Sequence, residues 1–105
     1  MPVSVMRQEP VEAAARPGRA ILDVRRPREW ESSHIDGAIN LPLAQLEAKI
    51  RELDPTQDWL VVCASGYRSS VATSVLERAG FQRVANGVGG MDAYRRAELP
   101  VSTGT

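Results

Sequence analysis

The chain has 105 residues, 43% of them apolar and 25% charged, which is ordinary for a globular protein with enough length for one hydrophobic core. Thirteen basic and thirteen acidic residues cancel, which leaves no electrostatic case for nucleic acid or an anionic membrane as partner. A single cysteine rules out an internal disulfide, no Cys/His cluster offers a metal site, and neither an apolar leader nor a membrane-length apolar run is present, so the default expectation is a cytoplasmic protein that needs no cofactor.

In chain order, Val3 to Met6 reads as a short edge strand, and Pro10 to Ala15 as one or two helical turns ended by Pro17-Gly18. Ala20 to Val24 is a compact apolar run behind a turn signal and predicts a buried strand, interrupted near its C-terminal end by Asp23. Ligands of open α/β sheets bind outside the C-terminal strand ends, so a carboxylate there is either a site residue or the partner of a nearby arginine. Pro27 and Glu29 predict a short helix through Ser33. His34 to Gly37 reads as a turn and Ala38 to Leu41 as a short strand. Leu43, Leu46, Ile50 and Leu53 fall at helical spacing and predict one amphipathic helix over 43–53.

Trp59 to Val62 is apolar on both faces, as central parallel strands are. A helix follows over 70–79, with Val71, Val75, Leu76 and Ala79 as its apolar stripe and Gly80 as its stop. Phe81 to Ala85 is a short strand, 86–90 a flexible glycine-rich turn, and Met91 to Ala97 a last short helix. The tail from Val101 is small and polar, and it is expected to fray. Strands and helices alternate, with connections too long for hairpins, so the fold class is α/β: a parallel sheet with helices on both faces, in one domain.

Between the central strand and the helix after it lie Cys63, Ala64, Ser65, Gly66, Tyr67, Arg68 and Ser69. A nucleophilic thiol works as its thiolate, and three features favour the thiolate here. A helix N-terminus points at the loop, Gly66 lets successive N–H groups converge, and Arg68 brings a positive charge. A lone cysteine at a strand end is usually a small buried hydrophobe. Small residues, a glycine and an arginine between strand and helix are hard to explain as packing, which makes Cys63 the candidate nucleophile and Ala64 to Ser69 its candidate anion cradle. Four residues separate Cys63 from Arg68. Cysteine phosphatases have five, so this tighter loop suits a smaller group such as the terminal sulfur of a sulfur anion or persulfide. Arg68 either contacts the anion or turns back to Asp23 or Glu29. Ser69 either donates to the anion or caps the helix. Tyr67 reads as an exposed rim residue and His34 as a turn histidine satisfied by backbone groups. Trp30 and Trp59 read as core, and Arg25, Arg26 and Arg28 as a small basic surface patch that could attract an anionic donor.

At this point the sequence resembles the rhodanese family of sulfurtransferases in its single-domain form. Ile21 to Arg25 with Glu29-Trp30 looks like the family's first signature, and His34 to Leu43 like its second. Cys63 to Ser69 is similar to the active-site loop, and Gly89 to Tyr94 with Leu99-Pro100-Val101 to the closing signature. The resemblance spans roughly 20–101 and implies a five-stranded, largely parallel sheet with helices on both faces. It implies that Cys63 takes sulfane sulfur, as from thiosulfate, and passes it from a persulfide to a thiophilic acceptor such as cyanide or a thiol. A sulfur-accepting protein is a further candidate partner, and Asp23, Arg25 and Glu29 are candidate supporting residues. Three positions depart from the family pattern. Ser33 stands where Gly is usual and Tyr94 where Trp is usual. Ala64 and Ser65 are uncharged where rhodaneses strong on thiosulfate carry basic residues, so a persulfide donor fits at least as well. A binding or sulfur-relay module is the alternative reading.

Overall fold

The computed structural model describes residues 6–104. Five strands, β1 (Arg7–Pro10), β2 (Ala20–Asp23), β3 (Ile39–Asn40), β4 (Asp58–Val62) and β5 (Arg83–Val88), form one sheet in the order β1-β5-β4-β2-β3, with every pairing parallel. The strand expected over Val3 to Met6 lies, but for Met6, outside the described residues. The edge position is taken by β1, whose charged and polar side chains suit a strand paired on one side only.

The sheet splits the core in two, and β4 shows how. Trp59, Val61 and Cys63 face one layer, while Leu60 and Val62 face the other. The first layer is closed by α2 (Leu46–Lys49) and α3 (Tyr67–Arg78), through Leu46, Ala72 and Leu76. A 3₁₀ turn (Val11–Ala15) and α4 (Gly90–Arg96) close the second, through Val11, Met91 and Tyr94. Leu60, Val61 and Val62 are wholly buried, each contributing about 1.5–3 kcal/mol by area. That double-sided burial is what an uninterrupted apolar run in a parallel strand encodes.

Four expectations are corrected. The helix predicted over 43–53 is three pieces, a 3₁₀ turn (Leu43–Gln45), α2, and a second 3₁₀ turn (Ile50–Glu52). The apolar spacing already carries this. Leu43 to Leu46 and Ile50 to Leu53 are steps of three, which a 3₁₀ turn places on one side, and Leu46 to Ile50 is an α-helical step of four. The buried stripe of α3 is Ser69, Ala72, Thr73 and Leu76, with Val71 exposed, because the helix lies close on the sheet and presents its smaller residues there. Its C-terminus has the expected glycine stop: the Gly80 N–H donates to Glu77 O and the Phe81 N–H to Leu76 O, both at 3.1 Å. The turn expected over 86–90 is confined to Gly89 and Gly90, since Asn86, Gly87 and Val88 belong to β5. Gly87 is there for close approach: a Cβ would lie 3.0 Å from Val61 O and 3.1 Å from a Val62 methyl. Finally, the tail is tied down. Ser102 forms an antiparallel bridge with His34, and the Gly104 N–H donates to Glu31 O at 2.8 Å.

At the C-terminal end of β2 sits a buried ion pair. Asp23 meets Arg25 through three side-chain bonds of 2.8–3.1 Å, and the same guanidinium donates to Ser33 O at 2.7 Å. Arg25 is therefore not surface: it is 1% exposed and ties α1 (Pro27–Ser32) to the sheet. Ser33 is extended, with φ −169°, so this position makes no demand for glycine. Replacing Asp23 with Ala strands the buried guanidinium, and a loss of about 3–5 kcal/mol in urea unfolding is expected. Arg7→Ala, at an exposed pair with Glu9, should change stability by no more than about 0.5 kcal/mol. Equal losses at the two positions would show that the buried pair has no special weight.

Candidate active site

Cys63 directly follows β4, and α3 begins four residues later, with Gly66 at its N-cap in the left-handed region (φ 114°). The helix thus starts earlier than its apolar pattern suggests, and its first residue is Tyr67. Between strand and helix the chain must turn back on itself around the sulfur. Two hydrogen bonds from α4 fix how it does so: the Met91 N–H donates to Cys63 O at 2.8 Å and the Asp92 N–H to Ala64 O at 2.9 Å. With the carbonyls pulled outward, the loop N–H groups face the sulfur. The Gly66 N–H donates to Sγ at 3.1 Å. Gly90 makes this approach possible, because a Cβ on it would stand 2.4 Å from Cys63 O and 2.6 Å from Ala64.

Cys63 is a free thiol, only 1% exposed. Burial pushes its pKa up, but the Ser69 hydroxyl and the N–H groups of Ser69, Gly66 and Ser65 outweigh burial and leave it below the ordinary thiol value. Hydrogen bonding, helped by the N-terminus of the twelve-residue α3, is therefore what favours the thiolate.

The charges expected to assist are engaged elsewhere. Arg68 turns back to Glu29, in a two-pronged pair of 2.7 and 2.8 Å, and of its two expected carboxylate partners Asp23 is taken by Arg25. The Arg68 guanidinium holds the Glu29 carboxyl down at about 2, against the opposing effect of burial, and the Arg26 N–H bonded to the same carboxylate helps. Ser69 does not cap α3; it is the third residue of that helix, with Oγ 3.4 Å from Cys63 Sγ. Ser65 is exposed and turns only its N–H toward the sulfur. Ala64 is half-buried and Tyr67, on the rim, is 76% exposed.

Arg26 and Arg28 are exposed and, with Pro27, Glu29 and Arg68, line an open recess of about 900 Å³ at this end of the sheet. A smaller recess reaches Ala64, past Arg28, Ser32, Asp92 and Arg95. His34 is held by Trp30 O at 2.7 Å, and its ring stacks on that of Trp30 at 3.6 Å between centroids. Trp30 is half-buried rather than core, whereas Trp59 is fully packed. Tyr94 fills the second core layer and donates its hydroxyl to Pro100 O at 2.8 Å.

Asn86 belongs to this site and the sequence reading missed it. It is 5% exposed, accepts from Ser69 Oγ at 2.5 Å and donates to Gln8 Oε1 at 2.9 Å. The available signal was an amide directly after Val84-Ala85, at the end of an apolar run. Asn-Gly is also a strong turn signal, and that reading displaced it.

A family model described as rhodanese-like domain matches residues 8–97. A sulfurtransferase of Allochromatium vinosum is 33% identical over 81 residues, covering 77% of this chain and 76% of that protein. The thiosulfate sulfurtransferase GlpE of Pseudomonas syringae is 33% identical over 87 residues, covering 83% and 82%. YrkF of Bacillus subtilis, a candidate sulfur carrier protein, is 39% identical over 71 residues, which is 68% of this chain but only 38% of that protein. Among solved structures, a rhodanese-related protein of Thermoplasma volcanium superposes with a TM-score of 0.84 at 28% identity, covering 91% of this chain and 97% of the other. No helix among the described residues is long and apolar enough to cross a membrane.

Two outcomes are expected from this geometry. Gly90→Ala should force α4 away from the loop, raise the Cys63 pKa and destabilise the fold, whereas Gly18→Ala, with open space around it, should leave the thiol unchanged. Thiol titration by ultraviolet absorbance distinguishes the two. The Glu29 carboxyl is lowered in the folded state from an ordinary value of 4.5 to about 2, so its contribution is complete above about pH 4.5 and is lost as pH falls toward 2. The pair is about one-third exposed, so solvent limits it to about 1 kcal/mol. The stability gap between wild type and Glu29→Gln should accordingly close across that window in acid unfolding. A gap that stays constant would place the pair's contribution elsewhere.

Proposed function

Because the chain belongs to the rhodanese-like family, we propose that it is a sulfurtransferase that carries sulfane sulfur as a persulfide on Cys63. The observation that carries this reading is the convergence of the Gly66 N–H, 3.1 Å away, and the Ser69 side chain on one lowered-pKa sulfur. The Cys63 thiolate attacks the outer sulfur of a donor. With thiosulfate, the sulfur–sulfur bond breaks, its electron pair leaves with sulfite, and a new S–S bond forms on Cys63. The same N–H groups that hold the thiolate then hold the persulfide anion. An acceptor thiolate or cyanide takes the terminal sulfur and returns Cys63 to the thiolate. Neither step needs a side-chain base, in keeping with His34 being stacked and bonded away from the sulfur, nor does either need a metal or cofactor.

The donor is constrained by what surrounds the loop. Ala64 and Ser65 bring no charge, and Arg68 is neutralised by Glu29. The cradle therefore offers N–H dipoles rather than free cations, which suits a persulfide donor at least as well as thiosulfate. A second reading, a sulfur-relay module that hands its sulfur to a protein, is supported by the sulfur-carrier relative and by the 76% exposure of Tyr67 at the rim.

Incubation with thiosulfate, and separately with glutathione persulfide, should add one sulfur atom to the intact mass. That sulfur should be lost on adding cyanide, and it should be absent in Cys63→Ala. Failure to take up sulfur from both donors rejects the enzyme reading. Uptake without turnover to cyanide or small thiols selects the relay.

A further inference from the structure

The sulfur stands at the head of a chain of hydrogen bonds that leaves the loop and ends on the edge strand. Cys63 Sγ donates to Ser69 Oγ at 3.4 Å, Ser69 Oγ donates to Asn86 Oδ1 at 2.5 Å, and Asn86 Nδ2 donates to Gln8 Oε1 at 2.9 Å. The topology brings its members together. Gln8 and Asn86 are register partners across β1 and β5, so their side chains lie side by side. Asn86 and Cys63 lie on the same face of the sheet, the one covered by α3, to which Val84 and Val61 also belong.

A serine hydroxyl has one proton to give. In the arrangement just described that proton points away from the sulfur, toward Asn86, and the order of donors suits a protonated thiol. A thiolate cannot donate. It needs the Ser69 proton turned toward it, and then Ser69 Oγ and Asn86 Oδ1 would meet as two acceptors 2.5 Å apart. Rotating the Asn86 amide by half a turn removes the conflict: Nδ2 then donates to Ser69 Oγ, and Oδ1 faces Gln8, which can accept or donate with equal ease. The chain thus has two self-consistent directions. One is matched to the thiol. The other, once the sulfur proton has gone to solvent, is matched to the thiolate and to the persulfide anion, because every donor along it points toward the sulfur.

We propose that Asn86, with Gln8 behind it, is a positioning residue that decides whether the Ser69 hydroxyl donates toward Cys63 or away from it. Asn86 is suited to this because an amide exchanges donor for acceptor without changing shape or charge. Only an amide or another group able both to donate and to accept at position 8 leaves both directions open. The fixed charges around the sulfur are largely paired and do not impose a direction: Arg68 with Glu29, Arg25 with Asp23, and Arg95 of α4 with Asp92 at 3.7 Å, with Arg28 exposed beyond them.

The test uses position 8, which is exposed and can be changed without disturbing the core. Gln8→Lys can only donate, which holds the chain in its thiolate direction; Gln8→Glu can only accept at neutral pH, which holds it in its thiol direction. Iodoacetamide alkylation of Cys63, followed as a pH profile, should shift to lower pH in the first variant and to higher pH in the second. Below the thiol pKa the rates should move in opposite directions by roughly three- to tenfold. A new surface charge acting through space would shift the profile in the same senses, but salt would screen it and it would not need Ser69. Each variant is therefore repeated at high salt and in a Ser69→Ala background. Shifts that survive salt and vanish with Ser69→Ala support the proposal. Shifts that vanish with salt, shifts that persist without Ser69, or no shift at all overturn it. The inference rests on Cys63 being the working sulfur, but alkylation reads the thiol alone. A protein that takes up no sulfur yet shows the Ser69-dependent shifts would lose the proposed function and keep this one.

Discussion

Two hydrogen bonds, from the N–H groups of Met91 and Asp92 to the carbonyls of Cys63 and Ala64, decide which way the peptide units of the loop face. A loop of this length could present carbonyls or N–H groups to the sulfur. Carbonyls would repel a thiolate. By drawing them outward, α4 leaves the N–H groups inside, and the thiol pKa falls although the group is buried. The approach of α4 depends in turn on Gly90, which has no Cβ to meet the Cys63 carbonyl. The chemistry of a residue after β4 is therefore set by a helix that begins 27 positions further along the chain.

The charges near the site follow a different logic. Asp23 and Arg25 are buried together and join β2 to α1. Glu29 joins α1 to Arg68 in the loop, and also takes the Arg26 N–H at the start of α1. Each carboxylate has a guanidinium of its own, so these residues hold the short helix against the sheet and the loop against the helix rather than offering free charge. This leaves the sulfur in a niche built from dipoles. Such a niche stabilises a compact anion through direct hydrogen bonds rather than through long-range charge. The exposed cations at this end, Arg26 and Arg28, lie outside that niche.

Much of the architecture was legible in the chain because its signals are local and agree with one another. The run Trp59 to Val62, apolar at every position, could only be a strand covered on both sides. The glycine after Ala79 ends α3 where a left-handed residue is needed. Pro27 opens α1. Leu43, Leu46, Ile50 and Leu53 pack against one core layer, as an amphipathic pattern implies, yet their steps of three, four and three fit two 3₁₀ turns around a short α-helix better than one helix. Other misreadings came from residues whose local meaning is overridden by a neighbour far along the chain. Asn86-Gly87 has the composition of a turn, but β1 and β4 pair with it on either side and hold it as strand. Val71 has the hydrophobicity of a core residue, but α3 presents its smaller side to the sheet.

The order of the elements, the central strand and the place of the single cysteine at its end are properties of contiguous stretches, so periodicity and turn residues were enough to reveal them, and the ordered motifs across 20–101 carried the family. Tertiary structure alone decided how the site's groups are shared out. Arg68 could have faced the sulfur, but Glu29, 39 residues earlier, takes both of its prongs. Ser69 could have capped a helix, but the helix begins at Tyr67 and its hydroxyl falls between Cys63 and Asn86. Hydrogen-bond donors and acceptors are few and directional, so a side chain that has found one partner is lost to another, and which partner lies in reach is a matter of which strands and helices end side by side.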